Sequence, residues 1–118
     1  MTDRVTIEVD GNVAIVTLNR PGKMNAVDHG MFDALGGAAD EIRNQPSVRA
    51  VVMQAAGDNF CAGLDVASFA SGDLDTGEGL ARPVEPSAAN FYQRAAYAWR
   101  ELPIPVICAI RGVAFGAG

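Results

Sequence analysis

The sequence predicts an α/β fold, a sheet interleaved with helices, on three observations. An alternating segment, a Gly-containing turn and a second extended segment read as a β-hairpin at the start of the chain. Two short unbroken apolar runs, 50–53 and 105–110, read as strands covered on both faces. The stretches between and before these runs place apolar residues at helical spacing, so strands and helices alternate in a layered order.

Val5, Ile7 and Val9 alternate with polar residues, Asp10-Gly11 supplies the turn, and the apolar pattern resumes from Val13 to Leu18. After the turn-rich Asn19-Arg20-Pro21-Gly22, Asp28 is placed to cap a helix whose core face is Phe32, Leu35, Ala39 and Ile42, with Pro46 shortly beyond its end. The run 50–53 follows as a buried strand. Residues 63–69 start with glycine and Asp65 and suggest a helix entered straight from a tight turn. Residues 71–87 hold Gly72, Gly77, Gly79, Pro83 and Pro86 among acids, which predicts a mobile surface loop. Phe91, Ala95, Trp99 and Leu102 then mark one face of a helix over about 88–102. The last seven residues, Gly112-Val-Ala-Phe-Gly-Ala-Gly118, come directly after a buried strand, where a helix is the natural next element. Two-faced strands need more neighbours than 118 residues supply, so the rest of the domain is expected to be missing, supplied by another chain, or absent in a dead fragment.

Composition narrows the class of function. A hydrophobic fraction of 49% with 19% charged residues is that of a globular chain, which argues against disorder throughout. No apolar run approaches the roughly 18 residues that cross a bilayer, and the N-terminus has no apolar signal-like segment, so a cytoplasmic protein without membrane contact is expected. The net charge of −5 without a Lys/Arg cluster argues against nucleic acid. A small phosphate-bearing ligand needs only local cations such as Arg20 and Lys23. Cys61 and Cys108 lie inside apolar segments and read as buried reduced thiols, with neither a disulfide framework nor a metal site implied.

Two junctions carry the chemistry. VVMQAAGDNFCAGLD (51–65) and PVICAIRGVAFGAG (105–118) each lead from a strand into small residues. Strand ends in layered α/β sheets are where ligands bind, and small residues let backbone N–H groups approach a ligand oxygen. Two amides converging on one oxygen would form an oxyanion hole, a device that lowers a barrier by roughly 2.7 to 4 kcal/mol per well-placed donor in the best measured case. The same glycines would also be explained by close packing of helix on sheet.

Taken together, NRPGKMNAVD (19–28), FCAGLD (60–65) and IRGVAFGAG (110–118) resemble, in order and with suitable spacing, three N-terminal signatures of the enoyl-CoA hydratase/isomerase family, the crotonases. The resemblance implies a crotonase-like spiral of repeated ββα units, of which residues 1–118 would be the N-terminal part of a single domain, with an acyl-CoA ligand and an oxyanion hole for its thioester carbonyl. Matched motif to motif, it implies that the amides of Leu64 and Ala117 are the two donors. Relatives usually have glycine at the position of Ala117, so a methyl group must fit beside the thioester here. The resemblance further implies contacts to acyl-CoA from Lys23, Met24 and Ala26, from Ala62, Gly63, Asp65, Val66 and Ala67, and from Gly116. Lys23 also reads as a solvated loop cation, and Asp65 as a helix cap. Coenzyme A would arrive as part of the substrate, with no separate cofactor, and the complete protein would be a homotrimer or a dimer of trimers. In hydratases of the family two glutamates beyond the second glycine motif add water across the enoyl double bond; neither position falls within these 118 residues.

Other patterns lead less far. Gly116-x-Gly118 after a strand could open a dinucleotide fingerprint, which would make the chain part of an oxidoreductase. Asp73-x-Asp75-x-Gly77 faintly resembles a calcium loop, but its sixth position is Glu78 and its twelfth Val84. His29 is the sole histidine and G-x-S-x-G is absent, so a nucleophilic triad has no support; His29 reads as a first-turn helix residue. A protein that keeps the scaffold to bind acyl-CoA without catalysing anything is the main alternative to an enzyme.

Overall fold

The computed structural model describes residues 3–74 and 77–118. Among the described residues four strands and four α-helices follow in order: β1 (Val5–Asp10), β2 (Val13–Leu18), α1 (His29–Arg43), β3 (Ala50–Ala55), α2 (Val66–Ser71), α3 (Glu78–Ala81), α4 (Arg94–Arg100) and β4 (Val106–Cys108). The sheet order is β1-β2-β3-β4. The expected hairpin pairs β1 with β2 antiparallel, Val5 opposite Leu18, with Gly11 at φ +60° in its turn. Both later pairings are parallel, with Val16 opposite Met53 and Val51 opposite Val106. Parallel neighbours need a crossover, and α1 supplies the one between β2 and β3.

Period-2 alternation fixes which sheet face is covered. In β2, Ala14, Val16 and Leu18 are buried and the residues between them are half-buried. Their cross-strand neighbours Val51 and Met53 are buried as well, and α1 lies over them with Met31, Phe32, Leu35, Ala38, Ala39 and Ile42 turned inward. Fully burying an aliphatic side chain contributes about 1.5–3 kcal/mol, so this stripe is the main apolar seam of the fold. Asp28 caps α1 as expected, its side chain accepting from the Met31 amide at 2.9 Å.

α4 and the turn before it pack on α1 through one buried cation and an aromatic cluster. The Phe32 and Tyr92 rings meet edge to face at 4.9 Å, and His29 stacks on Phe91 at 4.8 Å. Arg94, absent from the sequence reading, is buried, and its guanidinium reaches Asp40 at 3.1 Å and Asp33 at 3.7 Å on α1. Gly36 makes room for it, since a Cβ there would stand 2.5 Å from the guanidinium carbon.

The boundaries shift for identifiable reasons. α2 begins at Val66 instead of at residue 63 because Gly63 lies at φ +91° and Leu64 bridges to Val27, holding the backbone extended until Asp65 caps the helix. α4 starts at Arg94, not near 88, because Ala88 and Ala89 donate to Glu101 and to Ser87 Oγ, and the Asn90 side chain first accepts from Gln93. Residues 71–87 contain the short α3, and Ser87 is buried with its hydroxyl donating to Glu101 at 2.5 Å. The covered-strand reading fails at β4. Ile107 is 59% exposed, and Cys108, expected to be buried, is exposed, because no described residue covers these two side chains; Cys61 is buried as expected.

Candidate functional site

Three loop segments lie side by side beyond the ends of β2, β3 and β4. The middle one, 60–65, pairs with 111–118 on one side: Phe60 donates to the Arg111 carbonyl at 2.8 Å, Cys61 to Val113 at 3.1 Å, and Phe115 donates back to Cys61 at 3.0 Å. On its other side it pairs with 24–27. Ala62 donates to the Met24 carbonyl at 2.9 Å, Val27 to Gly63 at 2.7 Å, and Asp65 to Val27 at 2.9 Å. All three motifs singled out in the sequence therefore meet at one place.

Leu64 sits between the two residues that bond to Val27, and successive amides of an extended segment point to opposite sides, so the Leu64 N–H is directed away from Val27. Among the described residues neither the Leu64 amide nor the Ala117 amide has an intramolecular hydrogen bond. The two segments approach closely: a Cβ added to Gly63 would stand 2.6 Å from the Phe115 carbonyl oxygen and 3.7 Å from the Ala117 nitrogen. Gly116 at φ +51° turns the backbone just before Ala117. Ala117 also borders an open groove of about 890 Å³ whose lining includes Val27, Phe32, Leu35, Ala89 and Tyr92.

The remaining predicted residues divide by environment. Lys23, in a 3₁₀ turn (Pro21–Lys23), is exposed and forms no ion pair among the described residues. Met24 is exposed with φ +50°, Ala26 and Ala62 are partly buried, Gly63 is buried, and Val66 and Ala67 are exposed at the start of α2. Asp65 is buried with its carboxylate fully engaged. One oxygen accepts from the Ala67 and Ser68 amides at 3.0 and 3.3 Å, the other from Arg20 at 2.6 Å. The hydrogen bond from Arg20, with the helix amides and the guanidinium charge, holds the Asp65 carboxyl below its usual pKa in spite of burial. Its side chain thus serves as the cap that the sequence reading offered as the alternative role.

Arg20, read from sequence as a local cation for phosphate, is likewise committed inward. It reaches Asp65, the Ala26 carbonyl at 3.1 Å and Asp28 at 3.6 Å. Asn25, to which the sequence reading gave no role, is fully buried at φ +56°. Its side chain accepts from the Arg20 amide at 2.7 Å and donates to the Ala56 and Asn59 carbonyls at 2.9 and 3.0 Å. The signal was present in Asn19–Asp28, since Asn tolerates left-handed backbone better than most residues. Cys61 donates its thiol to the Asn25 carbonyl at 3.1 Å, and burial pushes that thiol's pKa up, away from nucleophilic reactivity.

Among the described residues no group of three or more His, Cys, Asp or Glu could hold a metal ion, and no helix is long and apolar enough to cross a membrane. Asp75 of the calcium-like pattern lies outside the described residues.

The sequence profile of the enoyl-CoA hydratase/isomerase family matches residues 13–118. The chain belongs to this family. Its crotonase fold is seen also in the crystal structure of a probable enoyl-CoA hydratase/isomerase from Mycobacterium abscessus, with TM-score 0.74 and 30% identity over 99% of this chain and 41% of that one. Among curated relatives, a protein named probable enoyl-CoA hydratase EchA14 from Mycobacterium tuberculosis is 36% identical over 98% of this chain and 42% of its own length. The 1,2-epoxyphenylacetyl-CoA isomerase of Escherichia coli is 32% identical over 100% of this chain and 44% of its own. The chain thus spans about two fifths of the length of the crotonases it matches.

Proposed function

We propose that this crotonase-family chain binds an acyl-CoA thioester and stabilises the thioester oxyanion with the amides of Leu64 and Ala117. The observation that carries this reading is the pair of unbonded N–H groups held where the Gly63 and Phe115–Ala117 backbones touch. Burial of most of the surrounding polar groups in the fold's own hydrogen bonds leaves these two donors available for a ligand, and a donor pair fixed before the ligand arrives stabilises developing negative charge without reorganisation. The exposed Met24, Val66 and Ala67, and Lys23, which forms no ion pair among the described residues, would then contact coenzyme A, which is part of the substrate, and the apolar groove beside Ala117 would receive the acyl group.

The reaction is syn addition of water to a 2-enoyl-CoA in acyl-CoA metabolism, carried out by a complete trimeric protein whose acid and base lie outside these 118 residues. A non-catalytic acyl-CoA-binding role is the second reading. Mixing the protein with crotonyl-CoA and following the enoyl absorbance separates the two. Turnover with loss of absorbance supports hydration; calorimetric binding without turnover supports the binding role; the absence of both rejects the site.

A further inference from the structure

We infer that Arg20 is a positioning residue for the Leu64 amide, an inference that rests on the oxyanion-site reading above. The Leu64 donor is held by a single parallel bridge, in which Val27 exchanges hydrogen bonds with Gly63 and Asp65. A one-residue bridge is weak by itself, because two hydrogen bonds fix only one point between two loop segments. The Arg20 guanidinium ties the bridge on both of its strands. Its Nη1 donates to the Ala26 carbonyl, one residue before Val27, at 3.1 Å, and to the Asp65 carboxylate, one residue after Leu64, at 2.6 Å. Its Nη2 lies 3.6 Å from Asp28, one residue after Val27.

The clamp is itself seated. The Arg20 amide donates to the Asn25 side chain and the Asn25 amide to the Arg20 carbonyl, so the arginine backbone is anchored to the fully buried Asn25. The Arg20 side chain is 17% exposed, and its partners Asp65 and Asp28 are 11% and 14% exposed, so water competes poorly for these bonds. Arg4 completes the set by pairing with Asp28 at 2.9 Å, giving two cations to two carboxylates. Arg4 touches the α1 cap and not the Leu64 segment, which separates the roles of the two arginines. Lysine could not replace Arg20, because a single ammonium lacks the planar fork that reaches Ala26, Asp65 and Asp28 at once. Displacing a catalytic donor by about 1 Å can cost on the order of 10²-fold in rate, so Arg20 would act on chemistry through Leu64 without touching substrate.

The test uses the intact protein, crotonyl-CoA labelled with ¹³C at the thioester carbonyl, and infrared difference spectra alongside steady-state kinetics. In the wild type, bound thioester is expected to show a lowered carbonyl stretch. Arg20→Gln and Arg20→Lys are expected to shrink that shift and to lower kcat by roughly 10- to 100-fold with KM little changed. Arg4→Gln is expected to lower thermal stability and keep the carbonyl shift. If Arg20→Gln does not fold, Arg20→Lys carries the comparison by the same readouts. A full carbonyl shift and wild-type kcat in the folded Arg20 variant, or an equal loss in Arg4→Gln, overturns the positioning role and leaves the oxyanion site standing. A wild-type protein that turns over without any carbonyl shift overturns both.

Discussion

A methyl group at residue 63 would stand 2.6 Å from the Phe115 carbonyl oxygen, and that oxygen belongs to backbone that cannot swing aside. Gly63 also lies at φ +91°, outside the region comfortable for other residues. Gly63→Ala is therefore expected to force the two glycine segments apart, costing about 1–3 kcal/mol of stability from backbone strain and more from the clash. Gly72→Ala is the matched control, for Gly72 has φ +78° with open space around its absent Cβ. Both variants should lower the urea midpoint, and only Gly63→Ala should also depress acyl-CoA turnover, by on the order of 10²-fold. Equal activity in the two would show that the close approach does not shape the site. At this scale the sequence was informative where the backbone demands a particular residue. Gly63 and Gly116 were legible as glycines beside strand ends, and Asp65 as a cap. Arg20 was not, because an arginine in a turn looks the same whether it faces solvent or ties together residues 26, 28 and 65, which lie up to 45 positions away.

Both helices that border the site begin at an aspartate ion-paired with Arg20, Asp28 at the start of α1 and Asp65 at the start of α2. At Asp28 burial raises the pKa, but the hydrogen bonds from Arg4 and Met31 and the Arg20 charge outweigh it, and the net shift is downward. Asp65 is lowered as well, chiefly by Arg20. A carboxyl held low in the folded state contributes stability that is fully present above its unfolded pKa of about 3.9 and is lost as pH falls through the lower folded value. In that window the unfolded chain binds more protons, so stability should fall with falling pH, by at most about 1.4 kcal/mol per pH unit for each carboxyl. Asp28→Asn and Asp65→Asn are each expected to flatten the acid limb of urea midpoints taken between pH 5 and pH 2, while lowering stability at pH 7. An unchanged slope would mean that neither ion pair differs between the folded and unfolded states. The helix caps were readable from the chain because they are local, one side chain against amides two or three residues on. Helix lengths were less so: α4 was expected from about residue 88, and the remote bond of Ala88 to Glu101, together with the local ones of Ala89 to Ser87 and of Gln93 to Asn90, holds that turn out of the helix.

Across the whole molecule, the α/β layering followed from strand and helix periodicities, and the parallel pairing of β3 with β2 and β4 is consistent with it. The asymmetry of the sheet was harder to foresee, because an unbroken apolar run such as 105–110 reads as buried on both sides whether or not anything covers its second face. On the face away from α1, Ile15, Val52 and Ile107 lie in one row across three strands; Ile15 and Val52 are half-buried and Ile107 is 59% exposed. β4 is also an edge with free backbone groups, and Ile110 and Phe115 beyond it are 59% and 58% exposed. An apolar row ending at an open edge is the arrangement that sheets otherwise blunt with charge or cover with another element. The 118-residue polypeptide in isolation is therefore expected to self-associate at micromolar concentration and to bind a hydrophobic dye. Ile107→Lys should suppress both, because it puts a charge at the exposed end of the row and leaves the buried face untouched. Sedimentation velocity over a dilution series checks this. A wild-type chain that stays monomeric and dye-silent would mean that the row is too small to drive association, whereas association unchanged by Ile107→Lys would move the contact to another surface, with Phe115 the next residue to substitute.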